Sequence, residues 1–188
     1  LSYVGELGFE LYIENKDAKK VYQLIVEEGK NHNLSHCGSH AMDIMRMESG
    51  FLHWGHDISP EENQYEAGLN FAISYKKETN FIGKESLLKI KDKKQNRRFI
   101  MLSLKDSKPG TPLLLHEEPI YLEDKIIGRT TSGNYSFNYK KNLSFGYISS
   151  THSNEELSKM DLYIEVAKQK LQAVVEITPL KDKQARFL

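Results

Sequence analysis

The densest run of chemically capable side chains lies between Phe51 and Ile58, where His53, Trp54, Gly55, His56 and Asp57 follow one another. Two imidazoles and a carboxylate this close could move protons or ligate a metal, and an indole beside them could wall a pocket for a flat molecule. A second group, His36, Cys37 and His40, puts its imidazoles one helical turn apart if the helix that follows begins early. Zinc needs three or four ligands in suitable geometry, and neither group follows a metal-ligand spacing, so no metal is expected. Cys37 reads as a packed small residue and Trp54 as core or pocket wall. Arg46 reads as a structural partner of Asp43 or Glu48. By pattern alone, Glu10 is a strand glutamate facing solvent or paired with Lys19 or Lys20. No Gly-x-Gly-x-x-Gly and no P-loop occurs, which leaves binding of a flavin or a nucleotide phosphate by this chain without support.

The elements that must position these groups fall into two styles. Phe9 to Ile13 alternates and predicts a strand. Ala18, Val21, Tyr22, Leu24 and Ile25 recur at helical spacing and predict an amphipathic helix, capped by Asn15 or Asp17 and ending near Gly29. A second helix is expected over 39–49, with Ser39 as its N-cap and Gly50 closing it. A short third helix is expected from Glu85 to Lys91. Lys89 to Arg98 then holds six lysines or arginines and little apolar content, which marks a domain boundary. Beyond it come short strand candidates at Phe99–Leu104, Leu113–His116, Ile120–Leu122, Lys125–Thr130, Leu143–Ser149, Leu162–Val166 and Leu171–Ile177, with Glu123-Asp124 as a hairpin turn. Short strands at this spacing predict a small all-β barrel or sandwich. The expected class is therefore α+β: an α/β piece over 1–94 and a β-rich domain over 95–188, each with its own core.

Composition bounds the rest. With 188 residues, 26 basic and 26 acidic, the chain is neutral overall, which argues against bulk attraction to nucleic acid or to an anionic membrane. No apolar run approaches the ~20 residues of a membrane-crossing helix. A single cysteine fits a reducing compartment, and a cytoplasmic location is expected.

The ordering of several blocks carries more than any one of them. Tyr3-Val4-Gly5-Glu6-Leu7-Gly8-Phe9-Glu10 is followed by Gly38 to Glu48, by Trp54-Gly55-His56-Asp57-Ile58, by Glu66-Ala67-Gly68-Leu69 and by Phe81-Ile82-Gly83-Lys84. This series resembles the aminomethyltransferase family of the glycine-cleavage T-protein, strongly up to residue 92. The Trp-Gly-His-Asp form and Ile177-Thr178-Pro179-Leu180 are most similar to the folate-binding part of sarcosine and dimethylglycine dehydrogenases. Ile127 to Gly133 and Phe145 to Ile148 match the family's C-terminal barrel more loosely.

The resemblance implies tetrahydrofolate as cofactor and transfer of a one-carbon unit to it from an amine donor, in glycine cleavage or in dimethylglycine or sarcosine degradation. It implies that Glu10 holds the pterin, whose amino group and ring N–H form a two-donor fork suited to a carboxylate, and that Tyr3 and Trp54 line the same pocket. The family's first helix arginine falls on Met42, so that contact is lost. The family's acid-base aspartate lies in an N-terminal half that the chain, opening at Leu1, is expected to lack. The chain alone should then be catalytically silent, with that half, a lipoyl carrier protein or a flavin domain, and further copies of itself as partners. Two other readings stay open: a folate-dependent demethylase of a small methylated compound, and a non-catalytic folate-binding relative, whose Lys-Gly-Cys-Tyr-x-Gly-Gln motif is absent here.

Overall fold

A computed structural model describes residues 2–106, 108–149 and 151–181. Six antiparallel strands close into a barrel: β1 (Arg97–Leu104), β2 (Pro119–Leu122), β3 (Lys125–Ser136), β4 (Lys141–Ser149), β5 (Leu162–Val166) and β6 (Gln169–Glu176), in the order β1-β4-β3-β2-β5-β6, with β6 returning to β1. Closure leaves no unpaired edge. Alternation along β1 sends Ile100, Leu102 and Leu104 inward, where they meet Leu114, Ile120, Ile164 and Val175. A one-turn helix, α4 (Asn154–Leu157), adds Leu157, fully buried, to the same interior. The turn between β2 and β3 is the expected two-residue one, Glu123-Asp124, with Leu122 paired to Lys125 and Glu123 left-handed at φ 55°.

Ahead of the barrel stand α1 (Asn15–Gly29), α2 (Ser39–Glu48) and the short α3 (Lys84–Ile90). α2 packs against β3 and β4, and its Ile44 and Met47 share a second core with Met101, Leu143 and Phe145 from the outer barrel face. The helix ends at Gly50, left-handed at φ 72°. Gly50 N–H closes on Met47 C=O and Phe51 N–H on Arg46 C=O. A Cβ on Gly50 would sit 2.6 Å from Pro179 Cγ, so the chain beyond β6 fits against this turn because the residue is glycine.

Several expectations are corrected. Phe9 to Ile13 is not a strand: among the described residues no backbone pairs with it, and a strand exists only by pairing. Leu113 to His116 is a loop. β3 continues past Thr130 to Ser136, because Ser132 to Ser136 pair with β4 despite their turn-like composition. The N-caps are Glu14 for α1 and Gly38 for α2, neither with a side-chain cap bond, in place of Asn15, Asp17 or Ser39. Two separate cores are not formed. Before residue 95 the buried apolar residues are Ile44, Met47 and Ala67, and the first two complete the barrel's outer core. Cys37 is exposed, not packed. Among the described residues no helix is long and apolar enough to cross a membrane.

Candidate functional site

Tyr3 is held against the turn that follows α2. Its hydroxyl donates to Leu52 C=O at 2.8 Å, and its ring stacks on Phe51 at 6.3 Å and meets His53 edge-on at 6.4 Å. Two residues later Gly5, at φ 66°, passes so close to α2 that a Cβ there would lie 2.9 Å from Ser49 Cβ. That is the physical need behind one glycine of the Tyr3–Glu10 block. Glu6 pairs with Lys181, whose backbone N–H also donates to Glu48 C=O at 3.0 Å. Residues 3–6 are thus clamped between the end of α2 and residues 179–181. Burial raises the Tyr3 hydroxyl above its usual range, opposed by Arg46 and reinforced by Asp57, so it stays a protonated donor.

The rings continue outward from Tyr3. His53 and His56 lie 4.5 Å apart between centroids, and His56 lies 6.4 Å from His116, which the loop before β2 supplies from the barrel. Trp54 projects from the same turn, 65% exposed. Phe51, Leu52 and Ile58 also line a cavity of about 600 Å³, closed on its other side by Phe99, Met101, Phe145 and Pro179. The result is an aromatic, largely apolar surface with imidazoles beside it, suited to a flat polar heterocycle.

Beneath this surface lies a buried charge cluster. Arg46, 1% exposed, donates from Nε to Asp43 (2.9 Å), from Nη1 to Phe51 C=O (3.1 Å) and Asp57 (2.5 Å), and from Nη2 to Ser132 Oγ (2.6 Å), with Nη2 also 2.8 Å from the same Asp43 carboxylate. Every nitrogen of the guanidinium is thereby engaged. Its flat face lies 5.3 Å from the Phe145 ring centroid. Asp57, equally buried, accepts from Arg46, from Thr131 (2.5 Å) and Ser132 (2.8 Å), and from His53 N–H (2.9 Å). Such burial is tolerable because every charge and lone pair has a partner. Glu48, next along α2, is likewise satisfied by Ser136 at 2.6 Å and Asn138 at 3.0 Å.

The structure therefore gathers Tyr3 and the Phe51–Ile58 turn, with Trp54 beside them, but not Glu10. That carboxylate is exposed and accepts the Tyr12 hydroxyl at 3.1 Å. Arg46 pairs with Asp43, as one of the two expected partners, and with Asp57, which was not expected; Glu48 turns to β3 instead. His36 bonds Tyr22 across 2.8 Å. Thr131, Ser132 and His116 were not legible as site residues, since nothing in a Thr-Ser-Gly stretch or a lone histidine separates them from ordinary turn residues.

Two family models match: the one described as GCVT N-terminal domain over residues 1–77, and the one described as glycine cleavage T-protein C-terminal barrel domain over residues 97–182. Together they account for most of the chain. It belongs to the glycine-cleavage T-protein family.

Relatives of this T-protein family member include mitochondrial dimethylglycine dehydrogenase of Rattus norvegicus, 35% identical over 88% of the chain and 18% of that protein. Another is the aminomethyltransferase of Listeria welshimeri, 35% identical over 94% of the chain and 46% of that protein. Among solved structures, the glycine cleavage system aminomethyltransferase T of Bartonella henselae superposes with a TM-score of 0.72 at 20% identity, over 87% of this chain and 44% of that one. That last likeness speaks for the fold. The chain spans less than half the length of these relatives.

Proposed function

We propose that this chain forms part of the tetrahydrofolate site of a one-carbon transferase. The observation that carries the reading is the convergence of Tyr3 with Phe51, Leu52 and His53, two blocks far apart in sequence, on one aromatic wall beside a cavity of about 600 Å³. The wall fits a pterin: the stacked rings of Tyr3 and Phe51 and the adjoining imidazoles match a flat ring bearing donors and acceptors along its edge. Tyr3, Phe51 and Trp54 would flank the ring. Glu10 stands apart from this wall, exposed and accepting the Tyr12 hydroxyl; on binding it would exchange that neutral donor for the pterin's two-donor fork, a stronger arrangement. Bound tetrahydrofolate supplies nitrogen nucleophiles that accept the one-carbon unit. The residues of this chain contribute orientation and exclusion of water, which lower the barrier by holding reactants at near-attack distance.

An amine donor of the dimethylglycine or sarcosine type, or an aminomethyl-lipoyl arm, completes the proposed reaction. Asp43 and Asp57, the aspartates gathered here, are both held by Arg46, so the chain by itself is proposed to bind without turning over. Calorimetric titration of the chain with tetrahydrofolate, followed in parallel by Trp54 fluorescence, tests the binding. Saturable heat with quenching supports it; no heat and no quenching at millimolar ligand overturns it. Enzyme-dependent formation of methylene-tetrahydrofolate by this chain alone would overturn the proposed silence and relocate the catalytic groups.

A further inference from the structure

A regular strand sends consecutive side chains to opposite faces. β3 breaks that rule at one place. Thr130 pairs with Gly146 and Ser132 with Phe145, so Thr131 is an extra residue opposite a single step of β4. The extra residue of a β-bulge re-aims its neighbours, and here it brings the hydroxyls of both Thr131 and Ser132 to one oxygen of Asp57, at 2.5 and 2.8 Å. Without the bulge, one of the two would face the barrel interior. Thr130, just before it, is turned elsewhere: its hydroxyl donates to Glu118 at 2.8 Å.

The other oxygen of Asp57 accepts Arg46 and the backbone N–H of His53. Within residues 53–58, backbone bonds add to this. Asp57 N–H donates to His53 C=O at 2.8 Å, Gly55 N–H donates to Ile58 C=O at 2.8 Å, and Gly55 adopts φ 88°. His53, Trp54, Gly55 and His56 are all exposed, and Asp57 is the buried residue of the turn. Four exposed residues in a row, three of them ring-bearing, are therefore displayed by one buried carboxylate, and two of its four donors come from the barrel.

We propose that the Thr131–Ser132 bulge is the positioning element of the candidate ligand site, setting the Phe51–Ile58 turn through Asp57. The bulge then acts on the site without touching its ligand. Thr131 and Ser132 are positioning residues, acting by raising the fraction of molecules whose turn is in the binding arrangement, and apparent affinity scales with that fraction. The claim about the turn stands on geometry alone; its consequence for tetrahydrofolate rests on the function proposed above.

Trp54 is the single tryptophan of the chain, so acrylamide quenching of its emission reports on this turn and nothing else. Thr131→Val removes the hydroxyl at nearly constant volume, Thr131→Ser keeps it, and Ser136→Ala removes a buried β3–α2 bond, to Glu48, that does not touch the turn. Each full-length variant is compared with the parent by quenching, by tetrahydrofolate titration and by thermal unfolding. The expected result is altered Trp54 quenching and about tenfold weaker binding for Thr131→Val, near-parent values for Thr131→Ser, and lowered stability with unchanged quenching for Ser136→Ala. The proposal is overturned if Thr131→Val keeps parental quenching, if Thr131→Ser behaves like the valine variant, or if Ser136→Ala shifts quenching equally. Should Thr131→Val fail to fold, Ser132→Ala carries the same comparison, and parental quenching in it overturns the proposal. If the parent binds no tetrahydrofolate, the function above fails and the quenching arm alone decides the positioning claim.

Discussion

The barrel and the segment ahead of it solve the same problem differently. Each barrel strand pairs on both sides, and the interior is filled by Ile100, Leu102, Ile120, Leu162 and Ile164, none more than 3% exposed. In the segment over 6–38 most apolar residues face water instead. Phe9 is 85% and Tyr12 92% exposed, and the apolar stripe of α1 leaves Tyr22 and Leu24 at 56%. Burial in the first part is greatest where it touches the barrel, at the end of α2 and in the turn after it. The difference teaches that an amphipathic pattern reports a demand for burial without supplying the surface that meets it. A closed barrel meets the demand within itself; a single helix or extended segment cannot.

The largest effect expected from this contrast is in hydrogen exchange. Amides of β1 and β4 should exchange only through global unfolding, while those of α1 open locally, a difference on the order of a thousandfold or more. Comparable protection in α1 and β4 would show that the helix is packed in solution. Next, Arg46→Met leaves Asp57 buried without its cation. It should cost about 3–5 kcal/mol of stability in denaturant unfolding, although Arg46 precedes the barrel; a loss below about 1 kcal/mol would mean the two regions are stabilised independently. Smaller, and confined to the ligand, is Glu10→Gln. It should weaken tetrahydrofolate binding by about 1.5–3 kcal/mol, as a charge-assisted bond is lost, with the unfolding midpoint unchanged because the side chain is exposed. Equal affinity would remove Glu10 from the site.

The smallest effect concerns Tyr3. Its folded-state pKa is raised, chiefly by burial, so the native state keeps a proton that the unfolded chain releases above about pH 10. The associated stability is complete below that pH and is lost as pH rises toward the folded value. Tyr3→Phe should therefore flatten the alkaline fall in stability, and at neutral pH cost about 1 kcal/mol for the bond to Leu52. An alkaline limb identical in the two proteins would place the ionisation elsewhere.

Much of this architecture was legible before any coordinates. The helix over 39–49, the turn at Glu123-Asp124, the closing Gly50 and most of the barrel strands follow from periodicity and turn chemistry, which act over a few residues. The ordered blocks around Tyr3, Asp57 and Gly83 were enough to carry the family likeness. What lay beyond the sequence was long-range. Phe9 to Ile13 has strand composition, yet a strand needs a neighbour, and whether one is present is no property of the segment. Thr131 to Asn134 reads as a turn and is paired strand, since the partner β4 decides it. Asp57 stood in the sequence as one chemically capable side chain among histidines. Only the bulge in β3, more than seventy positions away, turns it into the buried anchor of the turn, because a carboxylate's role is set by the donors that tertiary packing aims at it.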